Sequence, residues 1–339
     1  MRAVWITRHG GPEVLEVREA PDPIPGPGEV RIRVRAAGLN FAEVMARQGL
    51  YPDAPRPPCV VGYEVAGVVD ALGPGVERPA AGARVFALVH FGGHADAICV
   101  PAASAISIPE GATFEEAAAL PVNYATAWLM LFRTASVRPG ERVLVHMAAG
   151  GVGIAALQLL RTVPGAVAFG TASGSKHEAI RREGCAHPID YRTRDYAAEI
   201  RALTGGEGVD VVLDPLGGRD WAKGYDLLRE GGRLVAYGFA NASGGPRRSW
   251  LRVLVQGVGI PRFDPLRLMA RNRAVAGFNL GHLWRRPELV GGALEAVLAL
   301  WREGRIAPRV DSTFPLERAA EAHRRIQERR NVGKVVLVP

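Results

Sequence analysis

The stretch Val143-Leu144-Val145-His146-Met147-Ala148-Ala149-Gly150-Gly151-Val152-Gly153, continued by the apolar run Ile154 to Leu160, decides the fold. A buried strand leads into a glycine turn, and an apolar helix follows at once. Gly150 and Gly151 let the backbone approach a pyrophosphate closely. Gly153 lets the helix pack on the strand, and the helix N-terminus offers free N–H groups and positive dipole. Ala148 stands where G-x-G-x-x-G has its first glycine, so the order strand, turn, helix carries the reading more than the motif does. Ala149, Gly150, Gly151, Val152 and Gly153 are therefore candidate dinucleotide contacts, against the plainer alternative of a tight turn without a ligand.

Downstream, the texture of the turn repeats. Strands are expected at Val143–His146, Ala166–Thr171, Val209–Asp214 and Arg233–Tyr237, with helices starting at Val152 and Lys176 between them. Such alternation implies a parallel sheet wound on both faces. Upstream, to about residue 110, the chain shows short apolar alternations cut by Gly and Pro at Arg31–Arg35, Tyr63–Val69, Arg84–Leu88 and Ala97–Val100, the pattern of short strands and turns. A helical stretch opens at Glu115. After Phe239 comes a segment rich in Gly, Pro and Arg with Trp250, Leu251, Leu254, Phe263, Leu266 and Met269, read as an ordered insertion. Ala274–Asn279, helices from Pro287 and Leu316, and a strand Lys334–Val338 close the chain. The layout is a β-rich domain built from both ends, 1–122 and 272–339, around a nucleotide domain at 123–271.

The cofactor choice rests on the second strand of the nucleotide domain. An NAD enzyme places a carboxylate there for the ribose hydroxyls, but this chain has Thr171-Ala172-Ser173-Gly174-Ser175-Lys176. Hydroxyls and an ammonium hold a 2′-phosphate by charge-assisted hydrogen bonds, so Thr171, Ser173 and Lys176 point to NADPH. The alternative is that the serines cap the next helix and Lys176 is solvated.

Bulk properties narrow the classes. The 339 residues suit two domains, and 48% hydrophobic with 22% charged residues is ordinary globular composition. The best apolar run, Ala117 to Phe132, is broken by Pro121 and Asn123, so no membrane span is expected. Three separated cysteines suggest neither a disulfide framework nor a thiolate metal cage, and a cytoplasmic location fits. A net charge of +8 could attract nucleic acid, lipid or a phosphorylated cofactor. The arginines at 324, 325, 329 and 330 read better as a solvated helix face, which makes nucleic acid an unlikely partner.

Several blocks in order resemble the medium-chain dehydrogenase/reductase superfamily in its zinc-free quinone oxidoreductase branch, nearest the vesicle amine transport protein subgroup. They are Gly38-Leu39-Asn40-Phe41-Ala42-Glu43-Val44, Gly62-Tyr63-Glu64-Val65-Ala66-Gly67-Val68, Leu120-Pro121-Val122-Asn123-Tyr124-Ala125-Thr126-Ala127, Asp214-Pro215-Leu216-Gly217-Gly218 and Asn331-Val332-Gly333-Lys334-Val335. The resemblance implies an α/β protein: a GroES-like β-rich catalytic domain plus a Rossmann doubly wound parallel-sheet domain, with the active site in the cleft between them. It also implies a homodimer through the strand near 274–279.

A catalytic zinc needs three ligands. Asn40 stands where the first cysteine would be, Tyr63 replaces the histidine of Gly-His-Glu, and the region of Asn123 offers no cysteine, so no metal is expected. A quinone or an enone accepts hydride at carbon without a metal if the protein orients it and stabilises the developing oxyanion. Asn40 and Tyr51 are the candidate catalytic donors, with Phe41, Tyr63 and Asn123 lining the substrate site. The alternative for Asn40 is an amide that ties loop backbone, and for Tyr51 a lid over apolar surface. By the same resemblance Thr126 touches the nicotinamide; Tyr191 is a candidate for the adenosine end, and Leu216, Gly217, Gly238, Phe239 and Phe278 for the cofactor pocket, with a place in the core the alternative for Phe278. Lys334 either reaches the cofactor or caps the last helix. A catalytically weak binding or regulatory module of the same fold is the competing reading.

Overall fold

The computed structural model describes all 339 residues, which divide into two compact units. One comprises Met1–Val122, Gly245–Arg248 and Pro308–Pro339; the other comprises Asn123–Gly244 and Ser249–Ala307.

The first unit is β-rich. Its larger sheet runs in the order Val310–Pro315, Lys334–Val338, Glu29–Leu39, Glu64–Leu72, Arg84–Leu88, Ile106–Ser107, and Ala97–Pro101 also pairs with Glu29–Leu39. In Glu29–Leu39, Val30, Ile32 and Val34 alternate inward with half-buried or exposed neighbours, as period-two patterning requires, and from Ala36 the strand is buried on both faces. The last strand lies antiparallel against it, pairing Val335 with Leu39 and Leu337 with Ala37. That register brings Lys334 beside the start of the helix Phe41–Gln48.

The second unit holds a six-stranded sheet in the order His187–Asp190, Val167–Ala172, Arg142–Val145, Val209–Asp214, Leu228–Ala236, Ala274–Gly277. All its pairings are parallel. Numbered along the chain this is order 3-2-1-4-5-6, the doubly wound arrangement whose strand order reverses between Arg142–Val145 and Val209–Asp214. Ligands of such sheets bind beyond the carboxyl ends of the strands at that reversal.

One expected boundary moves. Ala274–Gly277 pairs with Arg233 to Ala236, and the helix Pro287–Arg302 buries Val290, Ala293, Leu294, Val297 and Leu298. The nucleotide unit therefore runs to Ala307, and the return to the β-rich unit begins at Pro308 rather than at 272. A four-residue strand carries too little apolar pattern to say which sheet it will join. The insertion is ordered as the helices Trp250–Val258 and Pro265–Arg271, but Trp250, Leu251, Leu254, Leu266 and Met269 are exposed; only Phe263 of that set packs inward, against Tyr225.

Candidate active site

The glycine turn has the expected geometry. Gly150 is the N-cap of the helix Gly151–Leu160 in an extended conformation and supplies no side-chain cap to the first N–H groups of the helix. A Cβ on Gly153 would lie 2.5 Å from the carbonyl oxygen of Met147, and one on Gly151 would lie 2.3 Å from the Asn123 amide. These contacts explain the glycines, and they place the buried Asn123 against the turn inside the nucleotide unit. Ala148 is tolerated because the neighbouring strand compensates: a Cβ on Gly170 would meet the Ala148 methyl at 2.9 Å. Together these residues form a cradle suited to a pyrophosphate.

The other cofactor candidates sit at the carboxyl ends of adjacent strands. Asp214 Oδ1 accepts from the backbone N–H groups of Leu216 at 2.6 Å and Gly217 at 3.2 Å, shaping their loop. Gly217 has φ +80°, and a Cβ there would run into the Phe239 ring at 2.2 Å. Ala240 N–H donates to the Pro215 carbonyl at 2.9 Å, and Phe278 N–H to that of Ala236 at 2.9 Å. Leu216, Gly217, Gly238, Phe239 and Phe278 thus gather on one side. Thr126 is buried, while Ala149 and Val152 lie in the turn and on its helix.

At the other side, Thr171 departs from expectation. Its hydroxyl faces inward, accepting from Met147 N–H at 3.3 Å and bonding His146 Nδ1 at 3.0 Å, so it braces the turn rather than presenting a donor to phosphate. Ser173 is buried with its hydroxyl 3.4 Å from that of Ser175, and Lys176 and Tyr191 are half-buried. Sequence reasoning missed Asp190, whose carboxylate accepts from Gly174 N–H at 2.9 Å and Arg192 N–H at 3.0 Å. Those bonds hold its pKa below the ordinary value and use the acid on backbone.

In the β-rich unit, Asn40 is the N-cap of Phe41–Gln48 in a reciprocal capping box with Glu43. Its Nδ2 donates to Glu43 Oε1 at 3.2 Å and Glu64 Oε1 at 3.1 Å, and its Oδ1 accepts from Lys334 Nζ at 2.5 Å. Both amide hydrogens are committed to the carboxyl groups of Glu43 and Glu64, so Asn40 has no donor left for a substrate carbonyl; it is a bracing residue. Lys334 is 2% exposed and ion-paired with Glu64, which removes it from the cofactor set. The other Glu64 oxygen accepts from Val122 N–H at 2.8 Å.

One ammonium here faces two fully buried carboxyl groups. It pairs with Glu64, and burial pushes the Glu43 carboxyl up to about 8 despite Lys334 and Asn40. Burial drives the His94 imidazole down to about 4, where it bonds the Gly38 carbonyl at 3.2 Å.

Beyond this cluster lies an aromatic set. The ring of Tyr63 stands 6.3 Å from Tyr51 and 5.2 Å from Phe91, and burial raises the Tyr63 pKa, so it is a neutral phenol. Phe41 packs against the apolar core. Glu43 could have been found from the spacing Asn40-x-x-Glu43, which is a capping box; nothing in the sequence marks Glu64 and Lys334 as partners.

No three His, Cys, Asp or Glu side chains are grouped to hold a metal ion. Residues 26–126 match the alcohol dehydrogenase GroES-like domain, and residues 184–337 match a family described as zinc-binding dehydrogenase. The human synaptic vesicle membrane protein VAT-1 homolog is 49% identical over 341 residues, spanning 100% of this chain and 86% of that protein. The chain belongs to the medium-chain dehydrogenase/reductase superfamily. Two crystal structures from that superfamily illustrate the likeness. The human VAT-1 homolog-like protein superposes with a TM-score of 0.86 at 38% identity, covering 100% of this chain and 98% of that one. Escherichia coli quinone oxidoreductase complexed with NADPH gives a TM-score of 0.88 at 29% identity, covering 100% of both chains. As a medium-chain oxidoreductase fold, the chain has a dinucleotide-type unit and a GroES-like unit.

Proposed function

We propose that the chain is an NADPH-dependent reductase that passes hydride to quinones or α,β-unsaturated carbonyl compounds without a metal. The observation that carries this reading is the uncapped helix N-terminus behind Gly150, Gly151 and Gly153 at the reversal of strand order, with no acid side chain among residues 171–176. NADPH, when bound, supplies the hydride. Gly150, Gly151 and Gly153 hold the pyrophosphate, Ser173 and Lys176 the 2′-phosphate, Tyr191 the adenosine end, and Thr126, Gly217, Gly238, Phe239 and Phe278 the nicotinamide end. That a quinone oxidoreductase complexed with NADPH is a near structural neighbour supports the same assignment.

On the acceptor side, Tyr51 donates to the oxygen that becomes negative, and Tyr63 and Phe41 shape the apolar wall. Asn40, Glu43, Glu64 and Lys334 form a rigid support for the segment that carries Tyr51. The protein acts as a homodimer through the outer edge of Ala274–Gly277, a terminal strand of its sheet, flanked in sequence by the exposed apolar side chains of residues 250–269. Its three cysteines are free thiols, which suits the cytoplasm, and no helix is long and apolar enough to cross a membrane.

Loss of absorbance at the reduced nicotinamide band with a panel of quinones and enones tests the proposal. Turnover supports it, and binding of NADPH without turnover for any acceptor supports the second reading, a regulatory module, which the vesicle-membrane names of the relatives favour. Elemental analysis of active protein should find no stoichiometric zinc, and a chelator should leave the rate unchanged; one tightly held zinc per chain would refute the metal-free chemistry.

A further inference from the structure

Beneath the candidate cofactor loops lies a buried polar group that none of the assigned roles uses. His146 and Asp214 are both 0% exposed; His146 directly follows the strand Arg142–Val145 and Asp214 ends Val209–Asp214, the two central strands at the reversal of strand order. On one side His146 Nδ1 bonds the Thr171 hydroxyl at 3.0 Å; that hydroxyl already accepts from Met147 N–H, so its own hydrogen is free to go to Nδ1. When Thr171 donates to Nδ1, the neutral imidazole carries its own hydrogen on Nε2. Neither Nε2 nor Asp214 Oδ2 has a protein hydrogen-bond partner, which leaves one donor and one acceptor in the same buried cluster. Burial pushes the histidine down and the carboxyl up, and each is the largest opposing charge on the other.

The remaining contacts reach the loop 215–218. Asp214 Oδ1 fixes the N–H groups of Leu216 and Gly217. Asn241 Nδ2 donates to the Gly217 carbonyl at 3.4 Å and to Asp220 Oδ2 at 2.9 Å. The Tyr196 hydroxyl donates to Asp220 Oδ1 at 2.9 Å, while its ring packs edge-on to His146 at 4.7 Å. One imidazole is thus bonded to the strand end before residues 173–176, adjoins the glycine turn at Met147, and is coupled to the loop 215–218.

We infer that His146 is a positioning residue for the dinucleotide, locking the glycine turn, the Thr171 strand end and the Leu216–Gly217 loop in one arrangement through its bond to Thr171 and its contact with Tyr196, whose hydroxyl reaches Asp220 and, through Asn241, the Gly217 carbonyl. This rests on the reading of the three loops as an NADPH seat. His146 touches no reacting atom, so its removal should weaken cofactor binding and leave the acceptor site untouched. His146→Gln keeps an amide that can bond the Thr171 hydroxyl; His146→Ala keeps none.

The test is NADPH titration of the full chain by nicotinamide fluorescence, with acceptor kinetics and thermal unfolding on the same samples. His146→Ala should raise the NADPH Kd about tenfold, the loss of roughly one buried hydrogen bond, with KM for a quinone unchanged. His146→Gln should recover most of the affinity. Asp214→Asn should weaken binding alone but add little to His146→Ala, because both act through one unit. An unchanged Kd in His146→Ala, equal losses in His146→Gln and His146→Ala, or fully additive losses in the double variant would each overturn the inference. If His146→Ala does not fold, a wild-type Kd in Asp214→Asn overturns it, and weakened binding in Asp214→Asn with near wild-type affinity in His146→Gln upholds it. Failure of the unaltered protein to bind NADPH overturns the cofactor assignment itself, a result separable from the others.

Discussion

Replacing Glu43 with Gln removes a carboxyl that burial holds in its acid form, and the stability of the β-rich unit should respond to pH in a defined direction. Glu43 is fully buried, and desolvation, opposed by Lys334 and Asn40, takes its pKa from 4.5 to about 8. Below pH 4.5 the folded and unfolded chains are both protonated at this site. Between 4.5 and about 8 only the folded chain keeps the proton, so stability falls as pH rises through that window. At about 1.4 kcal/mol per pH unit the whole window amounts to as much as ~5 kcal/mol. Gln retains an oxygen for the Asn40 backbone N–H but turns an amide toward Asn40 Nδ2, which costs about 1 kcal/mol. The variant should therefore be slightly less stable than the wild type at pH 5, overtake it at about pH 5.2, and gain steadily to pH 8. Urea unfolding of both proteins at half-unit steps from pH 5 to 8.5 measures the difference. Parallel stability profiles across that range would refute the buried-acid argument.

Other expectations follow from single contacts. Lys176→Ala should weaken NADPH by about tenfold or more and NADH hardly at all, since only NADPH carries the phosphate; equal losses by titration calorimetry would make Lys176 structural. Gly153→Ala forces a Cβ to within 2.5 Å of the Met147 carbonyl and should abolish measurable NADPH binding, whereas the same affinity as wild type would mean that the turn is not the pyrophosphate seat. Tyr51→Phe should lower kcat/KM about tenfold for an enone and less for a quinone, which spreads incoming charge over its ring, with NADPH affinity unchanged; wild-type rates with both acceptors would remove Tyr51 from catalysis.

Local order determined much of this protein in advance. Val143 to Leu160 specifies strand, turn and helix by spacing alone, because glycine permits close backbone approach and apolar period distinguishes the two elements. The alternation downstream fixes a parallel sheet, and the residue types at Asn40 and Tyr63 exclude the usual zinc donors whatever the fold does with them. Which strand Ala274–Gly277 joins and where residue 308 returns to the first unit depend on pairing between distant segments, which carries no local signature. The same holds for the roles of Asn40, Thr171 and Lys334. Each is a polar residue whose type suits a ligand, yet each spends its hydrogen bonds on partners set by tertiary register: Lys334 lies 294 residues from Asn40 and meets it only because the last strand pairs with Glu29–Leu39. A sequence states which donors and acceptors exist; burial and strand register decide which of them remain for a substrate.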